Sequence, residues 1–287
     1  EFPYARLVQE NAARGKLDPE LELLDTGVFD DDRYWIVEAH YAKADPFDVL
    51  LTVQITNAGA EEDTLHVLPT AWYRNTWAWE TGATAPALRA DGDDPRIQTE
   101  HPFLGALEIL ANDAPDGTSP EVLFCDNETN DERLFGAAGR SQYPKDGIND
   151  HVVAGASTVN PDRVGSKAAF HYRVTVPAGE TVELRVRLRP ADRGGSPWAD
   201  FDDVVAARRS EADEFYEQLT PPACSDDEAN VMRQAFAGML WGKQLYYYDV
   251  RRWLAGDPTQ PQPPESCRAG RNRHWITFEA FDIMSMP

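Results

Sequence analysis

From Leu51 to Asn57 the chain alternates apolar and polar side chains, Leu-Thr-Val-Gln-Ile-Thr-Asn, and the pattern breaks at Asn57-Ala58-Gly59. A period of two puts Leu51, Val53 and Ile55 on one face of a strand, and the triplet that follows is a turn signal. Leu65 and Val67, extended to Pro69, open the next run. The clearest alternation lies in His171–Val176 and Thr181–Leu188, on either side of Pro177-Ala178-Gly179-Glu180, and it predicts a hairpin. Tyr172, Val174 and Val176 share one face, as do Val182, Leu184, Val186 and Leu188 on the return strand. Arginine, threonine and glutamate take the opposite face, which is expected to be wet. Up to about residue 190 the pattern predicts an antiparallel β-sandwich.

The period changes after Arg189. Pro190–Pro197 reads as a Gly/Pro linker, and Phe201, Val204, Val205, Ala212, Phe215, Tyr216 and Leu219 then form the stripe of a helix that ends at Pro221-Pro222. A second helix opens at Ser225 with Glu228 three residues on, the signature of a capping box, and is expected to run through Val231 to Tyr248. Its apolar residues cover most of the circumference, so it is expected to be buried among other helices in a bundle or barrel. Pro258–Pro264 reads as a rigid extended connection.

The formal charge of −22 and a pI near 4.5 set nucleic acid and anionic membranes aside as partners. Acidic clusters such as Asp91–Asp94 lack the alternating oxygen ligands of a calcium loop and read as solvated surface. Cys125, Cys224 and Cys267 are far apart with no CxxC pair, and the six histidines include no HExxH, so neither a disulfide framework nor a metal is expected. No signal peptide or membrane-spanning run is present, and a cytoplasmic location is expected. The first residue is Glu1 and the last are Ser285-Met286-Pro287, which is read as a piece of a longer polypeptide.

No GxGxxG, P-loop or GxSxG motif supports nucleotide-dependent or serine-hydrolase chemistry, and no cofactor is expected. What remains is aromatic, amide, guanidinium and carboxylate chemistry, the combination that stacks on sugar rings and hydrogen-bonds their hydroxyls. Trp72–Glu80, Trp-Tyr-Arg-Asn-Thr-Trp-Ala-Trp-Glu, is one such stretch. On a strand, Trp72, Arg74, Thr76 and Ala78 would share one face, and Tyr73, Asn75, Trp77 and Trp79 the other. Two uses are open: one row packs into a core, or Arg74, Asn75 and Trp77 reach a saccharide pocket. In the second stretch, Trp241, Lys243, Gln244, Tyr248 and Asp249 stand at the end of the expected buried helix. Hiding such groups is costly without partners, so they line a cleft or lock a helix end through hydrogen bonds.

Taken in order, several segments resemble bacterial members of glycoside hydrolase family 63, the α-glucosidase and mannosyl-oligosaccharide glucosidase family. They include Glu1-Phe2-Pro3-Tyr4, Leu24–Phe29, Tyr41–Pro46, Leu65–Thr70, Arg74-Asn75-Thr76-Trp77 and Asn127-Glu128-Thr129-Asn130. Further on come Tyr143–Gly147, Lys243-Gln244, Tyr248-Asp249-Val250, Gly270-Arg271-Asn272 and Ser285-Met286-Pro287. The resemblance implies an amino-terminal β-sandwich joined by linker helices to an (α/α)6 barrel. It also implies inverting hydrolysis of α-glucosidic bonds by two carboxyl groups about 6.5–9.5 Å apart. In similar proteins the general acid belongs to a Trp-Asp pair beyond Ser-Met-Pro and the base lies further on, so this chain stops before both. Ile276–Phe281 departs from the family's pattern.

The chain is therefore β-rich with a helical C-terminal part. The expectation is a sandwich over residues 1–190, a linker and linker helix over 191–224, and the start of a truncated barrel, with its first helix, over 225–287. As a glycosidase fragment it is expected to hold no catalytic residue. Its substrate contacts are expected from Arg74, Asn75, Trp77, Trp241, Lys243, Gln244, Tyr248 and Asp249, toward an oligosaccharide or α-glucoside, and the missing barrel portion is its expected partner. Two alternatives remain. One is a stand-alone carbohydrate-binding module with Trp72, Trp77 and Trp79 as its platform, and the other is a domain for subunit interaction.

Overall fold

Strands β1 (Trp35–Asp45) and β2 (Asp48–Asn57) form a hairpin, in register from Trp35 opposite Asn57 to Lys43 opposite Val49. In the computed structural model, residues 2–90, 92 and 94–285 are described. Glu1, Asp91, Asp93, Met286 and Pro287 lie outside them, and so do the ends of two family-like segments and part of the Asp91–Asp94 cluster. The remaining strands are β3 (Asp63–Val67), β4 (Thr70–Trp72), β5 (Leu88–Ala90), β6 (Arg96–His101), β7 (Gly105–Ala111), β8 (Glu121–Cys125), β9 (Val164–Gly165), β10 (Lys167–Val176), β11 (Thr181–Pro190), β12 (Lys243–Asp249) and β13 (Glu279–Ser285). The helices are α1 (Tyr4–Ala13), α2 (Asp131–Phe135), α3 (Gly147–Ala154), α4 (Phe201–Leu219), α5 (Asp226–Trp241), α6 (Val250–Ala255) and α7 (Glu265–Ala269).

One sheet has seven strands in the order β1-β2-β11-β7-β6-β5-β9. A second is built around β10, with β3 and β4 along one edge and β8 along the other. Every pairing is antiparallel. Apolar rows from both sheets fill one core: Val53, Ile55, Ile97, Ile109, Leu184 and Val186 meet Val122, Phe124, Phe170, Tyr172 and Val174. Burying such rows face to face is what removes the apolar side of each sheet from water.

The strands predicted around Pro177–Glu180 are present, but they do not pair with each other. β11 lies between β2 and β7 while β10 lies in the other sheet, so the turn arches from one layer to the next. Alternation specifies which face a strand buries, not which strand lies beside it. The arch is held by Asn57, a buried residue whose side-chain amide donates to the carbonyls of Val176 (2.9 Å) and Glu61 (2.8 Å).

The face of β11 expected to be wet is covered in its second half, at Arg187 and Arg189, while Thr181 stays exposed. Arg187 is 1% exposed and makes two 2.8 Å hydrogen bonds to the carboxylate of Asp48, which is fully buried. It also donates to Asp200 at 2.5 Å and to the Pro197 carbonyl at 2.6 Å. Arg189 pairs with buried Glu108 at 2.6 Å. The segment before α4 supplies this cover, and Phe201, Trp198, Val204 and Val205 pack on Leu50 and Ala42 of the hairpin. Arginine tolerates this burial because its planar fork finds a carboxylate or carbonyl for its donors.

The first expected helix is α4, and the second starts as predicted: the Ser225 hydroxyl accepts from the Glu228 amide while the Glu228 carboxylate accepts from the Ser225 amide. It does not continue to Tyr248. α5 stops at Trp241, and Lys243–Asp249 is β12, paired with β13 from Lys243 opposite Ser285 to Asp249 opposite Glu279. Gly242 ends the helix, and the Tyr246-Tyr247-Tyr248 run then takes the extended backbone that aromatic residues favour. The expected burial of the helix is also corrected. α5 has no buried residue, and its last position, Trp241, is 83% exposed.

Candidate aromatic cleft

The Trp72–Glu80 stretch is a strand only to Trp72. It leaves the sheet at Tyr73 and closes a single 3-10 turn over Trp77–Trp79. Asn75 drives this departure. Its side-chain oxygen accepts from the Ala78 amide at 3.1 Å, starting the turn, and its amide donates to the Asn127 carbonyl (2.9 Å) and to Oε2 of Glu128 (3.1 Å). Side chains that offer the backbone a local partner compete with the ladder in this way. The Trp77 indole N–H donates to Oε1 of Glu128 at 2.5 Å, and Arg140 stands 3.8 Å from the same oxygen. Asn75 and Trp77 are thus bonded to Glu128 beneath the turn.

Trp79 faces the other way. Its ring is stacked on Tyr247 of β12, with centroids 4.6 Å apart and planes 7° from parallel. The guanidinium of Arg252 lies 5.4 Å from the Trp79 ring centre and that of Arg74 5.7 Å, both within cation–π range. Arg252 also donates to the Trp79 carbonyl (3.0 Å) and to the Tyr247 hydroxyl (3.2 Å). The Asp249 carboxylate accepts from the Arg252 amide at 3.0 Å and so caps α6. The Thr259 hydroxyl, within the proline-rich segment, donates to the Ala78 carbonyl at 2.9 Å.

These contacts frame a cleft of about 240 Å³, lined by Trp79, Tyr247, Tyr248, Asp249, Arg252, Trp253, Gly256 and Asp257. Apolar ring surface with a few polar groups at its rim suits a small polar molecule that has one flat apolar face. A larger depression of about 410 Å³ lies between Asp31 and Asp63, but carboxylates dominate it: Asp31, Glu61, Glu62 and Asp63 against Arg33 alone.

Of the residues expected from sequence, Tyr248 and Asp249 line the cleft and Arg74 reaches it across Trp79. Trp241, Lys243 and Gln244 are exposed and do not line it. Sequence reading missed Tyr247, Arg252, Trp253 and Asp257 as a group. Its helix through Tyr248 concealed the strand phase that separates Tyr247 from its two tyrosine neighbours. Among the described residues, no three His, Cys, Asp or Glu side chains converge as a metal centre requires, and no helix is long and apolar enough to cross a membrane.

No family model matches the chain. It is 32% identical over 328 aligned positions to a protein of Saccharomyces cerevisiae titled "Uncharacterized protein YMR196W". That alignment takes in 100% of this chain and 30% of the yeast protein, so the chain spans less than a third of its relative. Among solved structures, the polysaccharide lyase BACCELL_00875 is similar with 11% identity and a TM-score of 0.32, over 62% of this chain and 22% of the lyase. That likeness is too slight to assign a fold.

Proposed function

We propose that the chain is the amino-terminal part of a glycoside hydrolase similar to family 63, acting on α-glucosidic bonds, and that its aromatic cleft touches the saccharide. The observation that carries this reading is the cleft in which Trp79, Tyr247, Tyr248 and Trp253 stand beside Asp249 and Arg252: aromatic surface for a sugar ring beside donors and acceptors for hydroxyls. The ordered family-like segments support it too. In this reading, residues 1–190 are the sandwich domain, 191–224 the linker, and α5 opens an (α/α)6 barrel. The inverting acid and base lie in other parts of the polypeptide. Asp249, committed to capping α6, serves as a hydroxyl ligand and not as acid or base. The protein acts in the cytoplasm on an oligosaccharide or α-glucoside.

Titration of the chain with α-glucosides and mannosylglycerate-like substrates, followed by tryptophan fluorescence, tests this. The expected result is saturable quenching that Tyr247→Ala abolishes, without turnover. Turnover above a buffer control overturns the fragment reading, and absence of any saccharide response overturns the cleft assignment.

One observation favours a second reading as a subunit-interaction domain. Val231, Met239, Leu240 and Trp241 of α5 are exposed, as are Leu245 and Tyr246 of β12. Large apolar side chains exposed on two successive elements are consistent with an interface. Light scattering that finds a monodisperse monomer, with no binding of a hydrophobic dye, removes that reading.

A further inference from the structure

The seven-stranded sheet ends differently on its two sides. One edge is β9, 2 residues long, and the other is β1, 11 residues long. Native sheets commonly blunt a long edge, because a row of unpaired N–H and C=O groups is a template for another strand. The Ala58 amide donates to the Tyr34 carbonyl at 3.0 Å, so that carbonyl faces β2. By alternation the backbone groups of Ile36, Glu38, His40 and Ala42 also face β2, and those of Val37, Ala39 and Tyr41 face outward. The next outward carbonyl, that of Lys43, accepts from Arg208 of α4 at 3.2 Å, and the ladder is irregular between Lys43 and Asp45. Among the described residues, no hydrogen bond reaches the outward groups of Val37, Ala39 or Tyr41. Val37 and Tyr41 share the core-facing side of the sheet with Trp35, yet they are 53% and 71% exposed. The smaller sheet leaves this end of the face uncovered.

We propose that β1 is the two-fold interface of a homodimer, in which two copies of the strand pair antiparallel about Ala39 and join their large sheets into one. A two-fold axis normal to the sheet passes through a residue that faces its own copy, so few registers exist and the side chains select among them. About Ala39, Glu38 lies opposite His40 of the second copy, a carboxylate opposite an imidazole that can donate, and this pair occurs twice. Val37 lies opposite Tyr41, and Trp35 opposite Lys43, an aromatic face beside a cation. Moving the axis to Glu38 sets two carboxylates face to face, and moving it to His40 leaves Glu38 opposite Ala42. About Ala39, the outward groups of Val37, Ala39 and Tyr41 satisfy one another in pairs that exchange both bonds. One strand on another is a small interface, and each copy carries a charge of −22, so the dimer is weak and concentration-dependent. It stands independently of the saccharide reading and uses β1, not the exposed face of α5.

Sedimentation velocity of the whole chain, from about 1 to about 200 µM in about 0.15 M salt, tests the assignment. The expected result is a reversible monomer–dimer equilibrium. His40→Glu sets carboxylates opposite each other and should weaken it at least about tenfold. Adding Glu38→Lys to that variant restores opposite charges and should return the affinity to within about threefold of the original. Ala39→Pro removes an outward N–H that β2 does not use, so it should abolish the dimer while circular dichroism still reports the folded chain. A monomer throughout the range, a dimer indifferent to His40→Glu, no recovery in the double variant, or loss of the dimer in Trp241→Lys overturns the proposal.

Discussion

The indole N–H of Trp77 donates to Glu128 at 2.5 Å, and both residues are buried. Together with the Asn75 bonds, this contact ties the turn that carries Trp79 to the sheets, and Trp79 in turn meets Tyr247 and Arg252 of the C-terminal elements. Glu128→Ala leaves the Trp77 indole without its acceptor and the Asn75 amide with the Asn127 carbonyl alone. A buried donor left unpaired costs about 1–3 kcal/mol. Urea unfolding should show a loss in that range, and Trp79 fluorescence should change with it.

Arg187 and Asp48 form the most deeply buried ion pair on the large sheet, with Arg193 also touching Asp48. Arg187→Met strips Asp48 of its bidentate partner. Breaking such a pair costs about 3–5 kcal/mol, and the remaining Arg193 contact places this loss toward the lower end. The thermal midpoint should fall accordingly, whereas Arg209→Met, an exposed change on α4, should leave it in place.

Acid should weaken the same network. The Arg187 hydrogen bond holds the Asp200 carboxyl below its ordinary value. A carboxyl whose folded value is depressed contributes stability above its unfolded value, near pH 4, and that contribution is lost as pH falls through the lower folded value. Urea midpoints compared at about pH 5 and pH 3 should therefore drop more for the wild type than for Asp200→Asn.

Gly165 ends β9 where the chain passes Cys125. A methyl group there would stand 2.2 Å from the Cys125 carbonyl oxygen, which is backbone and cannot swing aside. Gly165→Ala should cost about 1–3 kcal/mol or more, as overpacking does, while Gly194→Ala, with open space around it, should be neutral or mildly stabilising. Differential scanning calorimetry of the pair separates the two outcomes.

Trp241 projects from the end of α5 with 83% of its surface exposed. Trp241→Lys should change unfolding free energy by no more than about 0.5 kcal/mol. It should lower self-association in light scattering if the exposed α5 face is what brings copies together.

Much of the fold was legible in local pattern. The alternation of Leu51–Asn57, the turn at Pro177–Glu180, the stripe of α4 and the capping box of α5 are encoded by neighbours within a few residues of one another. The candidate cleft was legible only in part. Of the residues expected to touch a saccharide, Tyr248 and Asp249 line the cleft and Arg74 stands across Trp79 from it, whereas Asn75 and Trp77 bond Glu128 under the turn, and Trp241, Lys243 and Gln244 stand apart. The reading of one helix through Tyr248 followed from helix-forming residues up to Trp241 and could not register that β13 offers Lys243–Asp249 a ladder.

The sequence alone therefore determined which residues alternate, where periodicity changes and that the surface is strongly acidic, because each depends on composition or on near neighbours. Tertiary structure decided the rest. It placed β10 and β11 in different sheets, buried Arg187 and Arg189 beside acidic partners on the flanking strands, and brought Trp79 against Tyr247 across 168 positions of chain (247 − 79). The physical reason is common to all three. A side chain's chemistry and its strand face are local properties, but the partner that satisfies it is chosen only when distant segments compete to remove the same surface from water.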